Sequence, residues 1–352
     1  MVFFHHLAFV DLDVSKWGPG VTALYYVSAA GMRGVDLFFV LSGFLITSLL
    51  IKDRTSTSYY QDFYWKRGLR ILPLYLLCLL GLALFVPHSG SEVLLSALFL
   101  ANFAQVFHIT SAGPFWTLAI EEQFYILWPT VVRRLSVDKL TRWALAIGLG
   151  AMLLRFVFAC LGHYNYHFTF LRCDGLAAGA LLACWFERRQ NTPKMTRRES
   201  TTITAALVVG LICLLARFLM PNTNRGMAFD ADLYQTGVTL LAGGTIGLIL
   251  VKRGNPMLAI FRSRLLLFFG LISYAMYMTH LYVLMVYTAV RGPVNGGDNA
   301  GLAVRFFVVL SATIALSLAT RYLIELPAIS LRRFVLKKPA PPSEIELPLL
   351  AD

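Results

Sequence analysis

Nine apolar stretches, near 34–51, 70–87, 115–132, 142–162, 168–186, 203–220, 233–251, 265–288 and 302–323, alternate along the chain with short polar segments. A helix needs roughly 17 to 25 such residues to cross a hydrocarbon core about 30 Å thick, where every backbone amide must be satisfied within its own segment. Repeated nine times, the pattern leaves one fold class open: an all-α, polytopic transmembrane helix bundle. Hydrophobic residues are 57% of the 352, more than one soluble core of that length would bury.

The net charge of +12 would suggest nucleic acid in a soluble protein. Here the basic residues sit between the spans, where the positive-inside rule puts them, so no nucleic-acid partner is expected. Lys52, Arg54, Lys66, Arg67 and Arg70 mark one cytoplasmic segment; Arg133, Arg134, Lys139 and Arg142 mark a second; Arg188, Arg189, Lys194, Arg197 and Arg198 mark a third. Lys252, Arg253, Arg262 and Arg264 mark a fourth, and Arg332, Arg333, Lys337 and Lys338 the tail. The segments left outside hold only Lys16, Arg33, Arg225 and Arg291.

This asymmetry decides the status of 92–107, since a full span there would place the second and third basic clusters outside. The segment therefore reads as a re-entrant or interfacial helix. The same topology puts 11–33 outside and both termini in the cytoplasm, so a first helix must precede residue 11. Residues 1–10 are apolar but too short to span, and read as the outer half of a helix whose start is truncated, which brings the count to ten. One transmembrane domain over 1–338 and a disordered cytoplasmic tail over 339–352 complete the organisation. Cys78, Cys160, Cys173, Cys184 and Cys213 have no metal-ligand spacing and read as small core residues; no metal site is expected.

Polar groups inside apolar runs are expensive in a bilayer and mark structure or function. Asp36 and Ser42 fall in the run 34–51, and Glu121 and Glu122 follow Trp116 in 115–132. Adjacent helical residues point about 100° apart, so one glutamate should face the bundle interior and the other can lie near the headgroups. Ser273, Tyr277 and His280 recur at helical spacing along one stripe, suited either to interhelical hydrogen bonding or to a site. Arg172 and Asp174 are two apart, so each should pair with a different helix rather than with the other. Arg155 and Glu325 are further intrusions. His5 and His6 are adjacent in the N-terminal apolar piece, and imidazole serves as a general base near neutral pH with little tuning.

The ordered series Gly34-Val35-Asp36 to Ser42-Gly43-Phe44, Trp65-Lys66-Arg67 to Arg70-Ile71-Leu72-Pro73, Trp116-Thr117-Leu118 with Glu121, Arg172 with Asp174-Gly175, Ser273-Tyr274 to Tyr277 and His280, and Glu325 with Pro327 resembles the acyltransferase 3 family of membrane-bound acyltransferases, of the O-antigen acetylase type. The resemblance implies ten transmembrane helices in the inner membrane. It also implies transfer of an acyl group, usually acetyl, from cytoplasmic acyl-CoA to a hydroxyl of a carbohydrate or similar acceptor, with no permanently bound cofactor. Its first helix carries an Arg and, eleven residues on, a His held to be catalytic. His6 takes that place, while the Arg would fall before Met1.

An acyl thioester is already activated, so the chemistry needs a base for the acceptor hydroxyl and a group to hold the developing oxyanion. On this reading His6 is the base and Glu121 or Asp36 orients the imidazole, with direct transfer and an acyl-histidine both open. Arg67 and Arg70 would meet the phosphates of coenzyme A with forked donors, unless they serve only as positive-inside anchors. Ser42, Trp116, Glu122, Arg172, Asp174, Ser273, Tyr277, His280 and Glu325 form the supporting polar set. The rival class is a transporter or flippase, in which the same buried groups form a proton relay.

Overall fold

The computed structural model describes residues 2–9, 12–109, 113–162, 167–189, 195–216, 224–252 and 256–335. The expected tail 339–352 lies outside them. In chain order the helices are α1 (Val2–Phe9), α2 (Pro19–Ala30), α3 (Gly34–Lys52), α4 (Tyr59–Phe85), α5 (Gly90–Ala97), α6 (Phe115–Arg134), α7 (Val137–Cys160) and α8 (Thr169–Arg189). They continue as α9 (Arg197–Ala216), α10 (Asn224–Val251), α11 (Arg264–Arg291), α12 (Asn299–Thr320), α13 (Leu326–Ser330) and α14 (Arg332–Val335). There is no strand among the described residues, as an all-α bundle requires.

Among the described residues, eight segments are long and apolar enough to cross a membrane. α6 spans 20 residues but its Glu121-Glu122-Gln123 step lowers its hydropathy, so it is not one of the eight; α1 is too short. The segment 92–107 does not form a span either. It is divided between the eight-residue α5 and a 3-10 helix, Ala101–Phe107, and Phe99 between them adopts a left-handed φ of 54°. The outer segment 11–33, expected as a loop, instead contains α2. Pro19 occupies its first turn, where a missing N–H costs nothing, and Leu24, Tyr26 and Val27 are exposed apolar residues.

The helices divide into two compact units. The first holds α1, α2, α4 and α11 to α14. Within it α1 packs on α11 and α12 through a core of Leu7, Leu284 and Val309. Tyr274 and Tyr282 of α11 donate to the Ile71 and Cys78 carbonyls of α4, at 2.7 and 2.8 Å. Between α12 and α13 the chain widens into a single π-helical turn, Arg321–Glu325.

The second unit holds α3 and α6 to α10. Its tightest seam joins α3 to α8: a Cβ added at Gly43 would lie 2.1 Å from the Leu176 carbonyl oxygen, and one at Gly179 would lie 2.1 Å from that of Val40. Small residues permit backbone-to-backbone approach where lipid offers no hydrophobic drive for helices to associate. At the start of α9, Thr196 and Glu199 form a reciprocal capping box, Thr196 N to Glu199 Oε2 at 2.7 Å and Glu199 N to Thr196 Oγ1 at 3.2 Å. Arg189 and the Trp185 indole add hydrogen bonds of 2.5 and 2.9 Å to the same carboxylate, tying α8 to α9.

Candidate active site

In the first unit, α1 brings His6 against His280 of α11. His6 Nδ1 lies 2.9 Å from His280 Nε2. The ring planes are 4° apart and the centroids 5.2 Å, the separation given when both nitrogens lie on the line between centroids. This is an in-plane hydrogen bond and not a face-to-face stack. On its other side, His280 Nδ1 sits 2.8 Å from the Tyr277 carbonyl oxygen and 3.1 Å from that of Met276, within its own helix. His280 is buried, His6 half-buried, and His6 Nε2 meets no hydrogen-bond partner among the described residues. His5 turns another way, to Ser28 Oγ at 3.2 Å and the Tyr25 ring.

The expected stripe of Ser273, Tyr277 and His280 is divided. Ser273 is exposed and donates to the Gly270 carbonyl of its own helix, while the Tyr277 ring lies 6.0 Å from that of His280. Next to His6, in its last turn, α1 is also held by Arg305 of α12, which the sequence reading did not single out. This arginine is 1% exposed, and its Nε donates to the Leu7 carbonyl at 3.0 Å. A cation at the carbonyl end of a helix also complements its dipole. The signal was present, since Arg305 is a charge inside the apolar run 302–323.

The expected phosphate ligands lie on the first half of α4, a continuous helix there rather than a loop: Arg67 is half-buried and Arg70 exposed. The same unit carries Glu325, buried at the end of the π-helical turn, 3.3 Å from Arg321 and under the electrostatic influence of Arg70. A π turn inserts one residue into the helical ladder, rotating every later side chain about the axis, and such turns occur often at functional sites.

In the second unit two buried aspartates are paired with arginines of other helices. Arg172 of α8 bonds Asp36 in the first turn of α3, where the helix dipole favours a carboxylate, and Gln235 of α10 donates to the same oxygen at 2.7 Å. Asp174 takes Arg155 of α7 at 3.2 Å, while Arg155 also reaches the Leu171 carbonyl at 2.7 Å and Thr236 at 3.1 Å. Arg172 and Asp174 thus each find another helix. Of the adjacent glutamates, Glu121 is buried and Glu122 half-buried. Ser42 bonds the Tyr125 hydroxyl, and Trp116 meets His167 edge-on at 4.6 Å. Burial and the Arg172 guanidinium lower the His167 pKa to about 4. Gln235 was also missed by the sequence reading, although it too is a polar residue in an apolar run.

The sequence left the imidazole's partner as Glu121 or Asp36; at Nδ1 of His6 the partner is His280. No group of histidine, cysteine or carboxylate side chains among the described residues is arranged to hold a metal ion.

A family model described as an acyltransferase domain matches residues 1–322. A Staphylococcus aureus protein provisionally named an O-acetyltransferase is 29% identical over 286 residues, 72% of this chain and 46% of the relative. The peptidoglycan O-acetyltransferase OatA of Listeria monocytogenes is 25% identical over 292 residues, 74% of this chain and 46% of its own length. YrhL of Bacillus subtilis, provisionally named a peptidoglycan O-acetyltransferase, is 28% identical with 74% and 45% covered. The chain spans less than half the length of these relatives. No solved structure matches.

Proposed function

The chain belongs to the acyltransferase 3 family of membrane proteins, and from that membership we propose that it moves an acetyl group from acyl-CoA to a hydroxyl of a cell-surface carbohydrate. The observation that carries the reading is the His6 imidazole, engaged at Nδ1 by His280 and meeting no described partner at Nε2.

His6 Nε2 takes the proton of the acceptor hydroxyl as its oxygen attacks the thioester carbonyl. The C–S bond of the tetrahedral adduct breaks, the acetyl group stays on the acceptor oxygen, and the His6 imidazolium returns the proton to the departing thiolate. The adduct is anionic, so donors aimed at its oxygen stabilise the transition state. Within the second unit Asp36 is oriented by Arg172 and Gln235, and Asp36 and Glu121 are the acidic side chains whose replacement an acetyl-transfer assay would read. On this reading Arg67 and Arg70 meet the donor's phosphates from the cytoplasmic face of the inner membrane, with both termini on that side.

The test is transfer of labelled acetyl from acetyl-CoA into membrane glycan, with the protein and its His6→Ala variant at equal abundance in the membrane. Label transferred by the protein and lost with His6→Ala is expected. Undiminished transfer by His6→Ala overturns the role of His6, and no transfer by folded protein overturns the reaction.

A further inference from the structure

We propose that His280 sets the tautomer of His6, holding its proton on Nδ1 and leaving the Nε2 lone pair free for the acceptor hydroxyl; the inference rests on the reading of His6 as base. Carbonyl oxygens only accept, so His280 Nδ1, 2.8 Å from the Tyr277 oxygen and 3.1 Å from that of Met276, must carry hydrogen. A neutral imidazole has one N–H, so His280 Nε2 is an acceptor. The hydrogen in the 2.9 Å bond therefore belongs to His6 Nδ1, and the lone pair of His6 falls on Nε2. The helix backbone thus writes a proton position two rings away: carbonyl, His280, His6, substrate.

Without this arrangement the two neutral tautomers of His6 compete, and the Nε2–H form offers the acceptor a donor where it needs a base. His280 touches no reacting atom and is a positioning residue. It also serves the second half of the reaction, since once His6 is an imidazolium its Nδ1–H donates a stronger, charge-assisted bond to the same acceptor.

Two variants separate tautomer control from packing. His280→Gln sets an amide oxygen to accept from His6 Nδ1 while its NH2 remains a donor. His280→Leu fills space with no acceptor. We expect His280→Leu to lower kcat by about 100-fold, at the lower end of what a positioned base contributes, with KM for acetyl-CoA within about twofold, and His280→Gln to restore all but about tenfold. Equal losses in Gln and Leu, or a KM change as large as the kcat change, overturn the proposal.

A second measurement needs no variant of His280. Selective 15N labelling of imidazoles in the detergent-solubilised protein, with the His6 signals assigned by their disappearance in His6→Gln, reports the protonation of each nitrogen. Protonated Nδ1 and bare Nε2 on His6 are expected near neutral pH; the reverse overturns the inference even if His6→Ala abolishes transfer. If His6→Ala retains activity while the tautomer is as derived, the functional reading has failed and the hydrogen-bond assignment has not.

Discussion

Gly43→Ala tests whether the close seam between α3 and α8 is required. The new Cβ would lie 2.1 Å from the Leu176 carbonyl oxygen, whereas ordinary contact begins at 3.4 Å, so the backbones must part locally by 3.4 − 2.1 = 1.3 Å. A flexible side chain would swing aside; a carbonyl inside a helical ladder does not. Overpacking of a close-packed interior costs about 1–3 kcal/mol, and the fixed neighbour puts this case at the upper end. The same two helices carry Asp36 and Arg172, so their ion pair loosens too. Thermal unfolding of the detergent-purified protein, read as loss of its monodisperse peak, should show a melting temperature several degrees lower. Gly150→Ala on α7 is the control, since nothing lies within 4 Å of its added Cβ. That change should be neutral or stabilising by about 0.5–1 kcal/mol through helix propensity. If Gly43→Ala melts with or above Gly150→Ala, the close-approach reasoning is wrong.

Replacing Arg172 alone by Leu should destabilise by about 3–5 kcal/mol, because it strands a buried carboxylate, whereas Asp36→Leu with Arg172→Leu should cost less than the sum of the two single changes; a double-mutant cycle in detergent unfolding decides it, and additivity would count against the pair. Arg305→Met keeps volume but removes the donor to the Leu7 carbonyl, so about 1.5–3 kcal/mol of the seating of α1 is lost; labelling of a cysteine placed at Phe3 should accelerate, and unchanged labelling would sink the idea. Arg67→Ala should raise KM for acetyl-CoA more than it lowers kcat in the labelled-acetyl assay, and an unchanged KM would remove this arginine from the donor site. His167, with a pKa lowered from 6.5 to about 4, binds fewer protons folded than unfolded between those values, so its contribution to stability is present above pH 6.5 and is lost as pH falls toward 4. Unfolding followed across that range should show a shallower acid loss in His167→Gln, and an identical slope would exclude the residue.

The fold class was legible because lipid removes alternatives: apolar runs of span length have few structures open to them. The charges inside those runs were legible for the same reason, and the spacing of Arg172 and Asp174 was enough to direct each to a different helix. Their partners were not, since Asp36 lies 136 positions from Arg172 and Gln235 lies 199 from Asp36, while Arg155, on the helix before Asp174, is one of several polar groups that packing alone could choose between. The start of α4 at Tyr59 rather than near 70 was hidden because its first turns are polar and carry no hydropathy signal. α2 was hidden because its twelve residues are too few to cross a bilayer and were read as loop. His280 stood out as a polar intrusion, but its bond to His6, 274 positions away, belongs to tertiary structure.

The two buried arginine–aspartate pairs have a consequence for a protein in an energised membrane. An isolated charge feels about 2.3 kcal/mol for every 100 mV it traverses, enough to tilt any equilibrium that moved it. Arg172 with Asp36 and Arg155 with Asp174 are each neutral as a couple, so their displacement along the field transfers almost no charge. The packing of α3, α7 and α8 should therefore be the same in respiring and depolarised cells, leaving that unit with no voltage sensor of its own in these pairs.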